Sequence, residues 1–276
     1  MKKQLLSLAL GAVLAYGAYA NEEAAQLWTK RGESKENALK AANIVRDLGA
    51  SEQNTALKAD LKTREAEYIY YVGVREGSKD AKKKAHERGQ DAAQVAVNLM
   101  ANAKTPDGKI ALARANYFFA INLGKWGEAN GVLSSLGRWG ELRDRLDVID
   151  SLDKTVEDYG SLRTRARAFH KLPFGDKKEA EALLAEASEN TLADGFKISR
   201  NSTTVFFYLD ILAKNSNAKK FCEVYKEFKG LAEVSDEELA EYNAVRVPET
   251  KTDLENFIAN RDFESDVKKY AVEKCK

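Results

Sequence analysis

The scarcity of proline is the strongest constraint on the fold of this chain. Only three prolines occur in 276 residues, at Pro106, Pro173 and Pro248. Because proline ends or kinks a helix, the long stretches between them are free to form continuous helices. These stretches are rich in Ala, Leu, Glu and Lys, which are strong helix formers, and strand-like alternation is almost absent. The sequence therefore predicts an all-α fold.

Apolar residues recur at spacings of three and four, the period of an amphipathic helix. The predicted helices cover 22–31, 35–49, 52–76, 79–103, 138–158, 160–171, 176–189, 199–214 and 217–231. In the central stretch 105–147, we expect one helix to start at Thr105 and to end at Gly124, with a second helix following. Capping boxes at Ser235 and Thr252 predict C-terminal capping helices within 231–276.

An internal repeat organises the predicted helices into pairs. Each copy has a turn glycine, a small residue where two helices cross, and a small or apolar residue two turns later. The copies are Gly32, Ala38 and Val45; Gly124, Ala129 and Leu136; and Gly175, Ala180 and Ala187. Small residues at a crossing let antiparallel helices approach closely. This pattern resembles the tetratricopeptide repeat and predicts a single helix-pair superhelix over 21–276.

The N-terminal segment has the pattern of a secretory signal peptide. Lys2 and Lys3 precede an apolar stretch, and Ala18-Tyr19-Ala20 gives a small-x-small cleavage pattern. We expect cleavage after residue 20 and a periplasmic location; an uncleaved anchor is the alternative. Cleavage leaves 42 Lys and Arg against 43 Asp and Glu. Balanced charge argues against nucleic acid as a partner, and no later stretch is long enough to span a membrane.

The two cysteines lie near the C-terminal end, at Cys222 and Cys275. In an exported chain two cysteines commonly pair, so we expect a disulfide between them. The alternative is two unpaired buried thiols. Their separation excludes a CxxC redox motif.

Signals for catalysis are weak. His86 and His170 are the only histidines, and neither has metal-ligand spacing. We expect His86, in a lysine-rich segment, to be a solvated surface residue, and we expect a structural role for His170. Phosphate-binding glycine loops are also missing. The sequence therefore predicts no enzyme, no metal site and no cofactor.

Aromatic and arginine side chains are the candidates for ligand or partner binding. They are Arg114, Tyr117, Trp126, Arg138, Trp139, Arg143 and Arg163. Core packing between helices explains most of the aromatic residues, whereas Trp139 lies between glycine and charged residues, a setting typical of contacts. The arginines fit a salt-bridged surface, or a concave groove whose guanidinium groups hold a small carboxylate ligand or an acidic partner.

The stretch from Ala85 to about Gly230 also resembles the T-component family of TRAP transporters, which are periplasmic proteins built from tetratricopeptide-like helix pairs. The resemblance rests on AHERGQDAAQVAV at 85–97, ALARANYFFAINLGKW at 111–126, the turn at 153–160, LPFGDKKEAEALLAEA at 172–187 and NSTTVFFYLDIL at 201–212. It implies association with a periplasmic solute-binding protein and a ligand passage through a homo-oligomer.

These observations give one expected function and two alternatives. We expect a non-enzymatic periplasmic protein that acts as an auxiliary component beside a solute-binding protein of a transport system. The first alternative is a general scaffold for protein–protein contacts with envelope assembly factors. The second is a hydrolase acting on envelope polymers, for which the sequence shows no assembled catalytic group.

Overall fold

The structure, a computed structural model, describes residues 20–192, 197–230 and 265–275. It confirms the all-α prediction. The helices are 20–29 (α1), Lys35–Ser51 (α2), Thr55–Val74 (α3), Lys79–Met100 (α4), Pro106–Asn130 (α5), Trp139–Asp153 (α6), Val156–Lys171 (α7), Lys177–Glu189 (α8), Ser202–Lys214 (α9), Ala218–Gly230 (α10) and Ser265–Lys274 (α11), with a 3-10 helix at Leu133–Arg138. In the part of the chain described, no helix is both long enough and apolar enough to cross a membrane.

The chain divides into two compact units between Val148 and Ile149, inside α6. We call them unit 1 and unit 2. The single repeat domain predicted over 21–276 stays a prediction. The signal peptide and the two predicted capping boxes fall in 1–19 and 231–264, outside the described residues.

Side-chain caps fix where the helices of unit 1 begin. Ser34, Asn54, Ser78 and Thr105 each accept a hydrogen bond from a backbone N–H of the first turn that follows. Because the first N–H groups of a helix have no partner within it, such caps define its start. The predicted turn at Gly77 and Ser78 is therefore correct.

Small buried residues hold the helices of unit 1 together. Helix α3 packs against α2 and α4, and α4 packs against α5. Ala41 and Ala42 of α2 are fully buried in a cluster with Leu61 and Ile69 of α3, and Ala59, Ala96 and Ala115 bring α3, α4 and α5 into a second cluster. Of the small residues that the repeat pattern names in unit 1, Ala38 is fully buried against Tyr71 and Val72 of α3.

The predicted turn at Gly124 is wrong. Helix α5 continues through this glycine to Asn130, where Gly131, with φ 97°, ends it. A mid-helix glycine costs about 1 kcal/mol relative to alanine, and burial of Phe118, Phe119 and Leu123 just before it offsets this cost. The central copy of the predicted repeat therefore does not form a helix pair.

Unit 2 packs its helices around a larger apolar core. Helix α8 lies against α7 and α9, and α10 lies against α9 and α11. Leu209, Leu212, Phe221 and Phe228 are fully buried at its centre. Ala180 and Ala187 on α8 are also fully buried, as the repeat pattern predicts.

The cysteines join the last helix of unit 2 to its core. Cys222 of α10 and Cys275, which follows α11, form a disulfide with their Cα atoms 5.3 Å apart. Both pack against the core, near the edge-to-face pair of Phe221 and Tyr270. The predicted pairing is present, and it closes a long segment of chain.

Replacing Cys222 by serine should lower the free energy of unfolding of unit 2 by about 4 kcal/mol, because the bond removes loop-closure entropy from the unfolded chain. The measurement is urea unfolding followed by the circular dichroism of the full chain. Reduction of the disulfide in the wild-type protein should lower the free energy of unfolding by the same amount. An unchanged midpoint in both experiments would show that the disulfide contributes nothing to stability.

Candidate functional site

The structure distributes the predicted binding residues between the two units. Arg163 belongs to unit 2, and the other six candidates, from Arg114 to Arg143, belong to unit 1. The candidate residues of unit 1 and the one candidate residue of unit 2 therefore belong to separate candidate sites.

Arg114 lies at a cleft of about 320 Å³ between α3, the end of α4 and the start of α5. Alanines and Met100 form its apolar wall, and Asp60 and Asp107 add carboxylates to its lining. The Arg114 guanidinium is 2.6 Å from a carboxylate oxygen of Glu67, so its charge is already balanced. This surplus of carboxylates disfavours an anionic ligand in the cleft and suits an apolar molecule that carries a cationic group.

Trp126 and Arg138 form a stacked pair where α5 meets the 3-10 helix. The indole N–H of Trp126 donates to Glu87 Oε1 at 2.8 Å, and the Arg138 guanidinium lies 5.2 Å from the indole centroid. Arg138 also donates two hydrogen bonds to the carboxylate of Glu141. Both side chains are partly exposed, so their apolar and charged groups remain available to a partner.

The remaining candidates of unit 1 occupy three different environments. Tyr117 is buried and packs edge-to-face on Phe118, which makes it a core residue. Trp139 is partly exposed at the start of α6. Arg143 is exposed and pairs with its neighbour Asp144 at 3.2 Å. The structure therefore does not bring all six candidates into one site.

The expectation for His86 is wrong, because its side chain is 1% exposed. Asn122 lies beside it and donates from Nδ2 to the carbonyl oxygens of Ala66 and Phe118. The amide oxygen of Asn122 must therefore face the histidine ring, where Nδ1 lies 3.0 Å away. This arrangement places a histidine proton on Nδ1.

Two glycines that sequence reasoning overlooked make room for this pair. A Cβ at Gly73 of α3 would lie 2.5 Å from His86 Cε1, and a Cβ at Gly89 of α4 would overlap the amide of Asn122. Glycine at these positions is thus required by close approach rather than by a turn. The sequence did carry a signal for this close approach. A glycine in mid-helix lowers stability, so its presence there indicates a packing requirement.

Burial is the main cause that lowers the pKa of His86 to about 4, and the hydrogen bond to Asn122 opposes the shift. The folded state thus resists protonation, whereas the unfolded chain binds a proton near pH 6.5. The free energy of unfolding should therefore fall as the pH decreases from about 6.5 to about 4, by roughly 3 kcal/mol from this group alone.

Urea unfolding of the wild type and of His86→Gln at pH 7 and pH 4 isolates this contribution. The stability difference between the two proteins should shrink by about 3 kcal/mol at the lower pH, because glutamine does not titrate. A difference that does not change with pH would contradict the buried neutral histidine.

In unit 2, Arg163 is 2% exposed and supports a strained turn at the start of α7. Glu157, Asp158 and Tyr159 all have left-handed backbone angles, with φ of 52°, 56° and 58°, which cost roughly 1–2 kcal/mol each. The Arg163 guanidinium donates to the carbonyl oxygens of Glu157 and Asp158, both at 3.1 Å, and to Thr204 Oγ1 at 3.2 Å. Arg163 is therefore a structural brace rather than a groove residue.

Side chains of α9 and the segment before it complete the support of this turn. The Asp158 carboxylate lies 2.7 Å from the Arg200 guanidinium and accepts a hydrogen bond from Asn201 Nδ2 at 3.4 Å. Asn201 in turn caps α9 by accepting from the N–H of Thr204. The strained turn is thus held by charged and polar groups on both its backbone and its side chains.

Replacing Arg163 by methionine should destabilise the protein by about 3 kcal/mol, because two buried carbonyl oxygens of the strained turn would lose their donor. The matched control is Arg143→Met, which removes an exposed guanidinium and should change stability by less than about 0.5 kcal/mol. Thermal unfolding of both variants provides the measurement. Equal effects would contradict the bracing role.

Other charged groups of unit 2 form ion pairs across its helices. Arg165 lies 2.9 Å from Asp150, and Arg167 lies 2.6 Å from Asp210. His170 Nδ1 is 3.5 Å from the same Asp210 carboxylate, a contact that suits the structural role expected for it. Across the described residues, no group of three or more His, Cys, Asp or Glu side chains is placed to hold a metal ion.

Comparison with known proteins adds no relative to this picture. No protein-family model matches the chain, and no curated protein matches it.

Proposed function

We propose that this chain is a non-enzymatic periplasmic helical-repeat protein that acts as an auxiliary component beside a solute-binding protein of a transport system. The proposal assigns a partner-binding surface to unit 1 and treats its helix pairs as tetratricopeptide-like repeats. It takes its direction from the resemblance to TRAP transporter T-components.

The single observation that carries the proposal is the stacked pair of Trp126 and Arg138. Tryptophan and arginine are enriched among the few residues that contribute most to binding at protein interfaces. Leu133, which is 72% exposed, lies in the 3-10 helix that ends at Arg138. An exposed leucine beside a tryptophan–arginine pair is the composition of a protein contact rather than of a solvated turn.

The packing of unit 1 supports the same conclusion. Helices α2 to α5 each lie against the next one in sequence, as successive helices of a stacked repeat do. Repeat proteins of this kind bind partners along surfaces built from several helices. The cleft beside Arg114 adds a place for a small ligand with an apolar body and a cationic group.

The test is mild cross-linking of the full chain in a periplasmic fraction, followed by mass spectrometry of the captured proteins. We expect recovery of a solute-binding protein, and we expect Arg138→Glu to reduce it at least about tenfold by reversing the charge over the indole ring. The matched control is Arg46→Glu, another partly exposed arginine of unit 1 that pairs with the adjacent Asp47. Its recovery should equal that of the wild type.

Two results would contradict the proposal. Recovery of secretion or wall-assembly proteins in place of a solute-binding protein would favour the scaffold alternative. Equal recovery by Arg138→Glu and the wild type would show that the Trp126 surface is not the contact.

A further inference from the structure

Arg145 of α6 is held by neutral groups only. Its guanidinium donates from Nη1 to Asn116 Oδ1 at 3.0 Å and from Nη2 to Gln94 Oε1 at 2.5 Å. One face lies 4.1 Å from the ring centroid of Phe119. Three helices of unit 1 thus position this guanidinium through two amides and a ring.

The two amides are fixed in the orientation that accepts from Arg145. Gln94 Nε2 donates to Asn98 Oδ1 at 2.7 Å, and Asn116 Nδ2 donates to the carbonyl oxygen of Leu112 at 2.9 Å. Because each nitrogen already has an acceptor, each amide oxygen must point at the guanidinium. Hydrogen bonds within α4 and α5 therefore fix the orientation of both amides toward Arg145.

Among the described residues Arg145 forms no ion pair, in contrast to Arg114, Arg138 and Arg143, which each form one. The carboxylate of Glu141, one turn earlier on α6, accepts two hydrogen bonds from Arg138. Burial lowers the pKa of the Arg145 guanidinium, and the charge of Glu141 opposes this shift. The group stays charged, since an arginine pKa lies far above neutral pH.

Part of the guanidinium faces solvent. Arginine has five N–H donors, and the two amides take only two of them. The Arg145 side chain is partly exposed. Its Nε makes neither of these hydrogen bonds and is not a buried atom without a partner, so this N–H reaches solvent. A positioned, partly exposed cation is the arrangement that recognises a carboxylate.

We propose that Arg145 anchors a binding site for a carboxylate group, carried either by a small dicarboxylate or by an acidic segment of a partner protein. The site rests on the proposed function as a binding component and names the chemistry that its unit 1 recognises. It differs from the cleft at Arg114, whose guanidinium is balanced and whose lining is acidic. Asn116, Gln94 and Phe119 position the guanidinium, and the bound carboxylate neutralises it.

The experiment titrates the full chain with sodium succinate or with a hexaglutamate peptide at constant ionic strength. Binding is followed by the NMR shifts of the backbone amides of Asn116 and Phe119. We expect saturable shifts in the wild type with at least one probe. Arg145→Gln should weaken the apparent affinity at least about tenfold by removing a charge-assisted fork. The matched control, Arg143→Gln on the exposed side of the same helix, should stay within about twofold of the wild type.

A second variant guards against a folding defect. Arg145→Lys retains the charge and one donor to the amides, so the fold should persist while the loss of the planar fork weakens binding about threefold or more. Circular dichroism and thermal midpoints report whether each variant is folded. Binding that is unaffected in folded Arg145→Lys and Arg145→Gln would overturn the proposal.

The two probes separate the sources of the carboxylate. Saturation by succinate alone supports a small ligand, and saturation by the peptide alone supports an acidic partner segment. No saturable shift with either probe, or an equal loss of affinity in Arg143→Gln, would overturn the site. Capture of a solute-binding protein by the wild type in that case would leave the proposed function intact, so the two failures are distinguishable.

Discussion

The close packing of α3, α4 and α5 depends on the buried hydrogen bond between His86 and Asn122. A buried polar pair is tolerated only when its hydrogen bonds are made. Here the histidine ring and the amide are hydrogen-bonded to each other, and they fit between the helices because Gly73 and Gly89 have no side chains. The pair thus sets the distance between the helices and their register. The cleft at Arg114 lies on the same three helices, and two of them, α4 and α5, supply the amides that hold Arg145 of α6.

Charged side chains have two roles in this protein. Some are structural: Glu65, which is 3% exposed, is balanced by Lys62 and Arg88, and Arg163 donates to two backbone carbonyl oxygens of the left-handed turn. Arg145 is different because its partners are neutral and part of its fork faces solvent. A charge that the fold positions but does not neutralise is better suited to a ligand than to stability.

The prediction succeeded where a local rule and the tertiary fold agree. Thr105 was recognisable as a helix start because capping depends on neighbours within three residues. The rule failed at Gly124, because the burial of Phe118 and Phe119 decides whether α5 continues and that burial is a property of the folded chain. It failed for His86 for the same reason: lysines nearby in sequence indicate a surface, whereas Asn122, 36 residues away, determines the actual environment.

The sequence by itself determined the helical class, several helix boundaries and the cysteine pair, since these follow from backbone chemistry and short-range spacing. Only the tertiary structure decided which arginines are structural and which remain available to a ligand. Arg143, Arg145 and Arg163 look alike in sequence, yet one is exposed, one is held by amides and one is buried. Charge balance depends on groups brought together from distant helices, and no local pattern encodes that.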